Sequence, residues 1–256
     1  MSMDTALIRQ RFSAASASYD AEALAQQHIA AHLWELATPH LALGASVLEI
    51  GAGTGLLTRF VLDAQPRSLT VNDLYISPQV QELAQQFPGR VQFREGDAEH
   101  LDFGGPFDAV LSASTVQWFE DITAFFDRCA RVLPKGGLLA FSSFLPGNLQ
   151  EVAELTGVSL SYCSDVELQG HLARHFDLVA MEQGEVALHF SSPRDVLLHL
   201  RHTGVTGIRS VVWGKNSYKD FVTRYTARYG TEQGVRLTYR PVYVVAKSKG
   251  LPCSKP

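Results

Sequence analysis

The sequence has few cysteines and no long hydrophobic run. Its 256 residues include three cysteines, an odd number that lie far apart, at Cys129, Cys163 and Cys253. This argues against a disulfide framework and favours a reducing compartment, so we expect a cytoplasmic protein. No apolar run approaches the roughly 18 residues that a membrane helix needs. Residues 1–18 also lack the continuous apolar core of a signal peptide, and we expect no membrane association.

Several motifs of binding and catalysis are missing as well. The glycine cluster at 51–55 is not followed by Lys-Ser or Lys-Thr, which excludes a P-loop. No G-x-S-x-G segment is present, which leaves Ser-His-Asp catalysis without support. His171 and His175 have a spacing that can bind metal, but no H-E-x-x-H pattern accompanies them, so we expect no metal site. An acidic chain without a known RNA- or DNA-binding motif also argues against nucleic acid as a partner.

The net charge of −4 conceals an asymmetry along the chain. Residues 1–190 hold 10 Lys and Arg against 23 Asp and Glu, whereas residues 191–256 hold 12 against 3. A basic final quarter on an acidic body predicts a surface for an acidic partner. The alternative is that these basic residues lie on solvated helix faces without a partner.

Three alternating glycines, Gly51, Gly53 and Gly55, follow a short apolar run that ends at Ile50. A strand that turns into a helix over bare backbone can form a binding ledge, because side chains would block the ligand or the turn. A dinucleotide site of the G-x-G-x-x-G type is excluded, because its third glycine would have to stand at position 56 or 58. A tight turn without a ligand is the alternative.

Short apolar runs continue to alternate with helical segments after the glycine loop. The runs predicted as strands cover 46–50, 68–73, 91–95, 107–112 and 138–143. This order predicts an α/β fold, in which a parallel sheet carries helices on both faces. Ligands of such sheets bind at the carboxyl ends of the strands.

We interpret the chain as a single domain, 1–256. Residues 1–41 are predicted to form N-terminal cap helices, and 42–145 are predicted to form the cofactor-binding core. The segment 192–235 is extra to the minimal fold, and we expect it to be a helical lid insertion. A closing strand is predicted over 237–246.

An acidic residue, Asp73, ends the second predicted strand, 22 residues after Gly51. An ionised carboxylate only accepts hydrogen bonds, so an acid at this place suits the diol of a ribose. Leu74, the next residue, is assigned to the same site. The alternative role for Asp73 is to cap the helix that follows.

The glycine run, preceded by Glu49 and including Ala52, resembles motif I of the class I S-adenosylmethionine-dependent methyltransferases. The resemblance implies a Rossmann-like fold with a mostly parallel seven-stranded sheet. It implies S-adenosylmethionine as the cofactor, with its methionine part against this loop. It also implies that Asp97, after the third strand, accepts a hydrogen bond from the adenine amino group, with Ala98 close to the ring. Asp97 could instead cap its own loop.

The segment after the fourth predicted strand is rich in small residues and ends in Gln117 and Trp118. By the same resemblance, Ser112 leaves room for the methyl donor, while Gln117 and Trp118 stand at the mouth of the site. Tyr19 could fold over the cofactor as a cap. Trp118 and Tyr19 could also be ordinary packing residues. We expect these three residues to act by positioning, without a general base.

Four segments narrow the resemblance to the malonyl-acyl-carrier-protein O-methyltransferases of biotin synthesis. They cover 11–20, 116–118, 192–204 and 237–239. This resemblance implies methylation of the free carboxyl group of a malonyl unit on an acidic carrier protein, which masks its charge. Three readings remain open: a small-molecule carboxyl methyltransferase of the trans-aconitate type, a quinone C-methyltransferase, and a protein that binds S-adenosylmethionine without catalysis.

A carboxyl acceptor also explains the lack of an obvious base. Its pKa is near about 4, so the oxygen is already ionised at pH 7 and needs no proton removed. An anionic acceptor favours a forked cationic anchor, for which Arg194 and Arg201 are the candidates. Each could equally be a surface arginine of a helix.

Overall fold

The computed structural model describes residues 9, 23–203 and 214–251. Its first half alternates strands and helices, as the sequence predicts. The elements are α1 (Leu24–Ala37), β1 (Ser46–Ile50), α2 (Leu56–Asp63), β2 (Ser68–Asp73), α3 (Pro78–Gln85), β3 (Val91–Glu95), β4 (Ala109–Ser112), α4 (Ile122–Val132) and β5 (Leu138–Phe144). Every residue of β1, β4 and β5 is buried, which is typical of central strands covered on both faces.

The second half adds helices and strands around this core. They are α5 (Gln150–Thr156), α6 (Asp165–Leu172), β6 (Phe176–Gln183), β7 (Val186–Phe190), α7 (Pro193–His202), α8 (Lys215–Tyr229), β8 (Gly230–Thr231), β9 (Gly234–Tyr239) and β10 (Pro241–Ser248). Among the described residues, no helix is long and apolar enough to cross a membrane.

Seven strands form the main sheet, in the order β3-β2-β1-β4-β5-β10-β6. The strands β1 to β5 are parallel, and β10 runs antiparallel to both of its neighbours. Two apolar cores cover the two faces of the sheet: Val47 of β1 belongs to one, whereas Leu48 and Ile50 belong to the other. The predicted mostly parallel seven-stranded sheet with helices on both faces is therefore confirmed.

The prediction of one closing strand over 237–246 is wrong. Two strands occupy this region, β9 in a small sheet of order β7-β9-β8 and β10 in the main sheet. Arg240 separates them: its N–H donates to Asn148 Oδ1 over 2.9 Å, and its carbonyl accepts the N–H of Leu145 over 2.9 Å. The physical reason for the break is Pro241, which lacks an N–H and therefore begins a strand more easily than it continues one.

A buried carboxylate attaches the small sheet to α5. Glu151 is fully buried, and it accepts hydrogen bonds from the Thr238 hydroxyl at 2.6 Å and the Thr238 N–H at 3.1 Å. Arg236 Nε lies 3.4 Å from the same carboxylate. The described part of the predicted lid segment, 192–203 and 214–235, contains α7, α8, β8 and the start of β9, so it is helical only in part.

Candidate active site

The loop after β1 brings bare backbone to the carboxyl ends of the strands. Gly51 and Gly53 have φ angles of +74° and +57°, which favour glycine. A Cβ on Gly51 would lie 2.0 Å from Thr115 Oγ1, so no side chain fits there. A Cβ on Gly53 would meet no atom within 4 Å. The loop therefore packs tightly against the sheet at Gly51 and borders open space at Gly53.

This open space is a cavity at the ends of β1 to β4. Several residues predicted from the sequence line it, although they are far apart along the chain. They are Glu49, Gly51, Ala52, Gly53, Asp73, Leu74, Asp97, Ala98 and Trp118. The strand order explains why they meet. The parallel strands β3, β2, β1 and β4 lie side by side in the sheet, so their carboxyl ends lie at the same edge.

Asp73 stands at the end of β2 and points its carboxylate at the glycine loop. Its Oδ2 accepts the N–H of Gly53 over 2.7 Å, and its Oδ1 accepts the N–H of Tyr75 over 3.2 Å. Burial raises the pKa of Asp73, and these backbone donors oppose the rise. The helix-cap role is excluded, because Ser77 is the N-cap of α3 and accepts the N–H of Val80. Asp73 retains acceptor capacity toward a ligand in the cavity.

Asp97 follows β3, lies on the cavity wall and also caps its own loop. Its side chain lines the cavity, and its Oδ1 also accepts the N–H of Glu99 over 2.9 Å. This bond caps the local turn and fixes the orientation of the carboxylate. Ala98 is 6% exposed and contributes a small apolar surface beside it. A fixed acceptor next to an apolar wall suits a flat ring with an amino group.

Glu49 is a carboxyl group in a site that strongly disfavours its charge. It is 1% exposed near the carboxyl end of β1, and its Oε2 has no hydrogen-bond partner. Burial raises the pKa of Glu49 to about 8; the polar groups of Thr58 oppose the rise, and the nearby Asp73 carboxylate adds to it. In the absence of a cation, Glu49 is therefore mostly protonated at neutral pH.

Other predicted site residues do not line the cavity. Ser112 is fully buried, and its hydroxyl donates to the Ile50 carbonyl over 2.8 Å, so it connects β4 to β1. Gly55 precedes α2 as its N-cap, and Gln117 donates from Nε2 to the Ser114 carbonyl at 2.5 Å.

The two candidate anchor arginines also lie elsewhere. Arg194 and Arg201 are exposed on α7 and are not part of the cavity wall. Their role as an anchor for the substrate carboxylate stays a prediction. Tyr19 lies outside the described residues.

The cavity wall also contains residues that were not assigned to the site from the sequence, among them two on α1 and two near Trp118. Gln26 and Ala30 come from α1, while Ser114 and Phe119 flank Trp118. Ser114 has a φ of +54°, which a residue with a side chain rarely adopts, and such outliers often mark functional sites. Gln26 and Ala30 are four residues apart on one helix face, a spacing that indicates a shared buried side but names no ligand.

The wall composition fits the cofactor that motif I implies. S-adenosylmethionine carries a sulfonium and an ammonium cation, and Glu49, Asp73 and Asp97 supply carboxyl groups to this wall. Leu74 and Phe119 provide apolar surface for a purine. The open space beside Gly53 lets a ligand approach the backbone closely.

The comparisons with known proteins agree with this geometry. A family model described as a methyltransferase domain matches residues 48–141, the span that holds the glycine loop, Asp73 and Asp97. The crystal structure of 1,6-didemethyltoxoflavin-N1-methyltransferase from Burkholderia thailandensis matches with a TM-score of 0.59 and 19% identity, over 95% of this chain and 88% of that one. At this identity the likeness shows the fold alone, which is the Rossmann-like class I methyltransferase fold.

Two curated relatives carry the name malonyl-acyl-carrier-protein O-methyltransferase. The relative from Chlorobium phaeovibrioides is 39% identical over 256 residues, which cover 97% of this chain and 98% of that protein. The relative from Haemophilus ducreyi is 39% identical over 249 residues, which cover 95% of this chain and 96% of that protein. Because both match over nearly their whole length, the chain belongs to the malonyl-acyl-carrier-protein O-methyltransferase family.

Proposed function

We propose that this protein uses S-adenosylmethionine to methylate the free carboxyl group of malonyl-acyl carrier protein. The observation that carries the proposal is the cavity in which the glycine loop, Asp73 and Asp97 meet at adjoining strand ends. The family to which the chain belongs supports the choice of acceptor. The ester formed would be the starter for the pimeloyl chain of biotin.

Different residues of the cavity would bind different parts of the cofactor. Asp73 would accept hydrogen bonds from the ribose hydroxyls, and Asp97 would accept a hydrogen bond from the adenine amino group. The loop from Gly51 to Gly53 would hold the amino-acid part. When bound, S-adenosylmethionine supplies an electrophilic methyl group on a sulfonium.

The chain then has to orient an acceptor rather than deprotonate it. A malonyl carboxylate is ionised at pH 7, so no side chain needs to remove a proton. Holding oxygen, carbon and sulfur in line can contribute about 7–11 kcal/mol to the lowering of the barrier. Trp118 and Phe119 line the cavity and would exclude water from it, and Tyr19 is our candidate for a cap.

The basic final quarter is our candidate surface for the acidic carrier protein. Several of its cations already have partners: Arg224 lies 3.5 Å from Asp220, and Arg236 lies 3.4 Å from Glu151. Within the described part of the chain, Arg194, Arg201 and Lys219 are exposed and form no ion pair. Cations without a partner are the ones that can steer an acidic protein toward α7 and α8.

Two further assignments belong to the same proposal. The segment 192–235, with α7 and α8, is our candidate for the lid that covers the acceptor. We also place the protein in the cytoplasm, since Cys129 and Cys163 are free thiols.

Mass spectrometry of malonyl-acyl carrier protein after incubation with S-adenosylmethionine tests the function. We expect the gain of one methyl group, which an esterase removes. Free dicarboxylates, including trans-aconitate, serve as competing acceptors in the same experiment. Methylation of these acids alone would assign the protein to the small-molecule class. Cofactor binding without transfer to any acceptor would indicate a binding protein and would overturn the proposal.

A further inference from the structure

Three buried polar atoms of the cavity wall have no hydrogen-bond partner. They are Gln26 Oε1 on α1, Glu49 Oε2 on β1 and Ser114 Oγ after β4. Gln26 is 5% exposed and Glu49 is 1% exposed. Buried polar groups in folded proteins are nearly always hydrogen-bonded, because an unpaired one costs about 1–3 kcal/mol. Three of them on one cavity indicate a polar ligand group that completes their bonding.

The chemistry of these atoms defines the group that they would bind. The Gln26 Oε1 atom is an acceptor, the Glu49 carboxyl group becomes acceptor-only once it is ionised, and Glu49 forms no ion pair with any described cation. An amide oxygen beside an ionised carboxylate matches a group that has several N–H bonds and a positive charge. The amino-acid part of S-adenosylmethionine ends in such a group, a primary ammonium. The adenine amino group is uncharged and would not favour ionisation of a buried carboxyl group.

We infer that Gln26 and Glu49 together bind the ammonium group of the cofactor, and that Glu49 releases its proton when this group binds. This inference rests on the cofactor of the proposed function, but not on its acceptor. It gives Gln26 a role in cofactor binding, and it couples cofactor binding to the release of a proton.

The charges around Glu49 support the proton release. Burial raises the pKa of Glu49 to about 8, with Thr58 opposing and the Asp73 carboxylate adding to the rise. The other ionisable side chains on the cavity wall are Arg9, Tyr75, Asp97 and Glu99, and Arg9 is already paired with Glu95 at 2.6 Å. An ammonium in contact with Glu49 favours the carboxylate and lowers its pKa. Binding therefore expels a proton, and affinity should rise as the pH increases toward about 8.

Calorimetry of S-adenosylhomocysteine binding tests the proton release directly, without carrier protein. At pH 6.5 the ligand ammonium keeps its own proton, so titrations in two buffers of different ionisation enthalpy report the protein alone. We expect the release of about one proton per ligand bound. 5′-Methylthioadenosine, which has no amino-acid part, and the deaminated analogue, which keeps the carboxylate, should release none. Glu49→Gln should abolish the release, whereas Glu35→Gln, an exposed change on α1, should preserve it.

The same titrations test Gln26. Gln26→Leu should weaken S-adenosylhomocysteine roughly 10- to 100-fold, the usual cost of a lost bond to a charged group. It should leave 5′-methylthioadenosine affinity unchanged, which also reports an intact fold, and the surface change Gln85→Leu should affect neither ligand. Equal weakening of both ligands by Gln26→Leu, or unchanged proton release in Glu49→Gln, would overturn the inference. Failure of the protein to bind any adenosyl compound would overturn the proposed function as well.

Discussion

The carboxylate of Asp73 accepts a hydrogen bond from the backbone N–H of Gly53, with 2.7 Å between Oδ2 and N. The end of β2 thus fixes the loop that follows β1. Ser77 adds a second connection, since its hydroxyl donates to the Gly53 carbonyl over 2.7 Å. One side chain that holds the loop in place is therefore also the candidate that receives the ribose.

Asp73→Asn tests this double role. The amide keeps the size of the side chain but replaces one acceptor oxygen with a donor, which faces either Gly53 N–H or the ribose. We expect S-adenosylhomocysteine to bind roughly 10- to 100-fold more weakly, as measured by calorimetry. Asp63→Asn, an exposed change on α2, is the control and should bind normally. Normal affinity in Asp73→Asn would remove the ribose assignment.

A pair of glycine substitutions separates backbone strain from ligand contact. Gly44 and Gly53 have φ angles of +63° and +57°, and a Cβ on either would meet no atom within 4 Å. Alanine at each position should lower the free energy of unfolding by about 1–2 kcal/mol, since both adopt the left-handed region. Only Gly53→Ala should weaken cofactor binding, because only Gly53 lines the cavity. Denaturant unfolding measures the stability of both variants, and calorimetry measures their affinity for the cofactor. Equal cofactor affinities in the two variants would contradict a binding surface at Gly53.

His199 should make the stability of the fold depend on pH. It is 2% exposed, and its Nε2 lies 2.8 Å from the Tyr239 hydroxyl. Burial, together with the charge of His202, lowers the pKa of His199 to about 4. The unfolded state, with an ordinary pKa of 6.5, therefore binds the proton more tightly, and stability is lost as the pH falls from about 6.5 toward 4.

The free energy of unfolding should fall by about 2 kcal/mol between pH 7 and pH 5 because of His199. Urea unfolding of His199→Gln, which keeps a partner for Tyr239, should show a correspondingly smaller pH effect. The control is His189→Gln, an exposed change on β7, and it should behave like the wild type. A pH dependence that is unchanged in His199→Gln would place its origin elsewhere.

Arg201 and Arg194 test the basic surface. Arg201→Ala and Arg194→Ala should each raise the KM for malonyl-acyl carrier protein several-fold and leave the KM for S-adenosylmethionine unchanged, because long-range attraction acts on the acidic protein. Added salt should reduce the difference in this KM between each variant and the wild type. Arg224→Ala, which removes a cation already paired with Asp220, is the matched control. An equal effect on both KM values would reject the assignment.

The positions of Asp73 and Asp97 on the cavity wall could be predicted because their signals are local. Asp73 and Asp97 each directly follow a strand, and parallel strands carry their carboxyl ends to one edge. Ser112 has the same kind of position, but its side chain bonds to Ile50 of the neighbouring strand. Which way a side chain at a strand end turns depends on strand register, which the motif does not contain.

Gln26 could not be found from the sequence, because a glutamine on an amphipathic helix is most often exposed. Its burial follows from the packing of α1 against α2 and β5. The division between β9 and β10, by contrast, had a readable signal in Pro241, which argues against an uninterrupted central strand.

The pairing of β6 with β10 has a consequence for how such proteins can diversify. Gln183, the last residue of β6, lies opposite Val242 near the start of β10. The Cα atoms of paired residues of this kind are about 5 Å apart. The chain therefore leaves the main sheet at 183 and re-enters it at 242, at two adjacent positions. The intervening stretch carries α7 and α8, which we propose as the lid, so relatives can differ in this stretch without any change in the strands that carry Asp73 and Asp97.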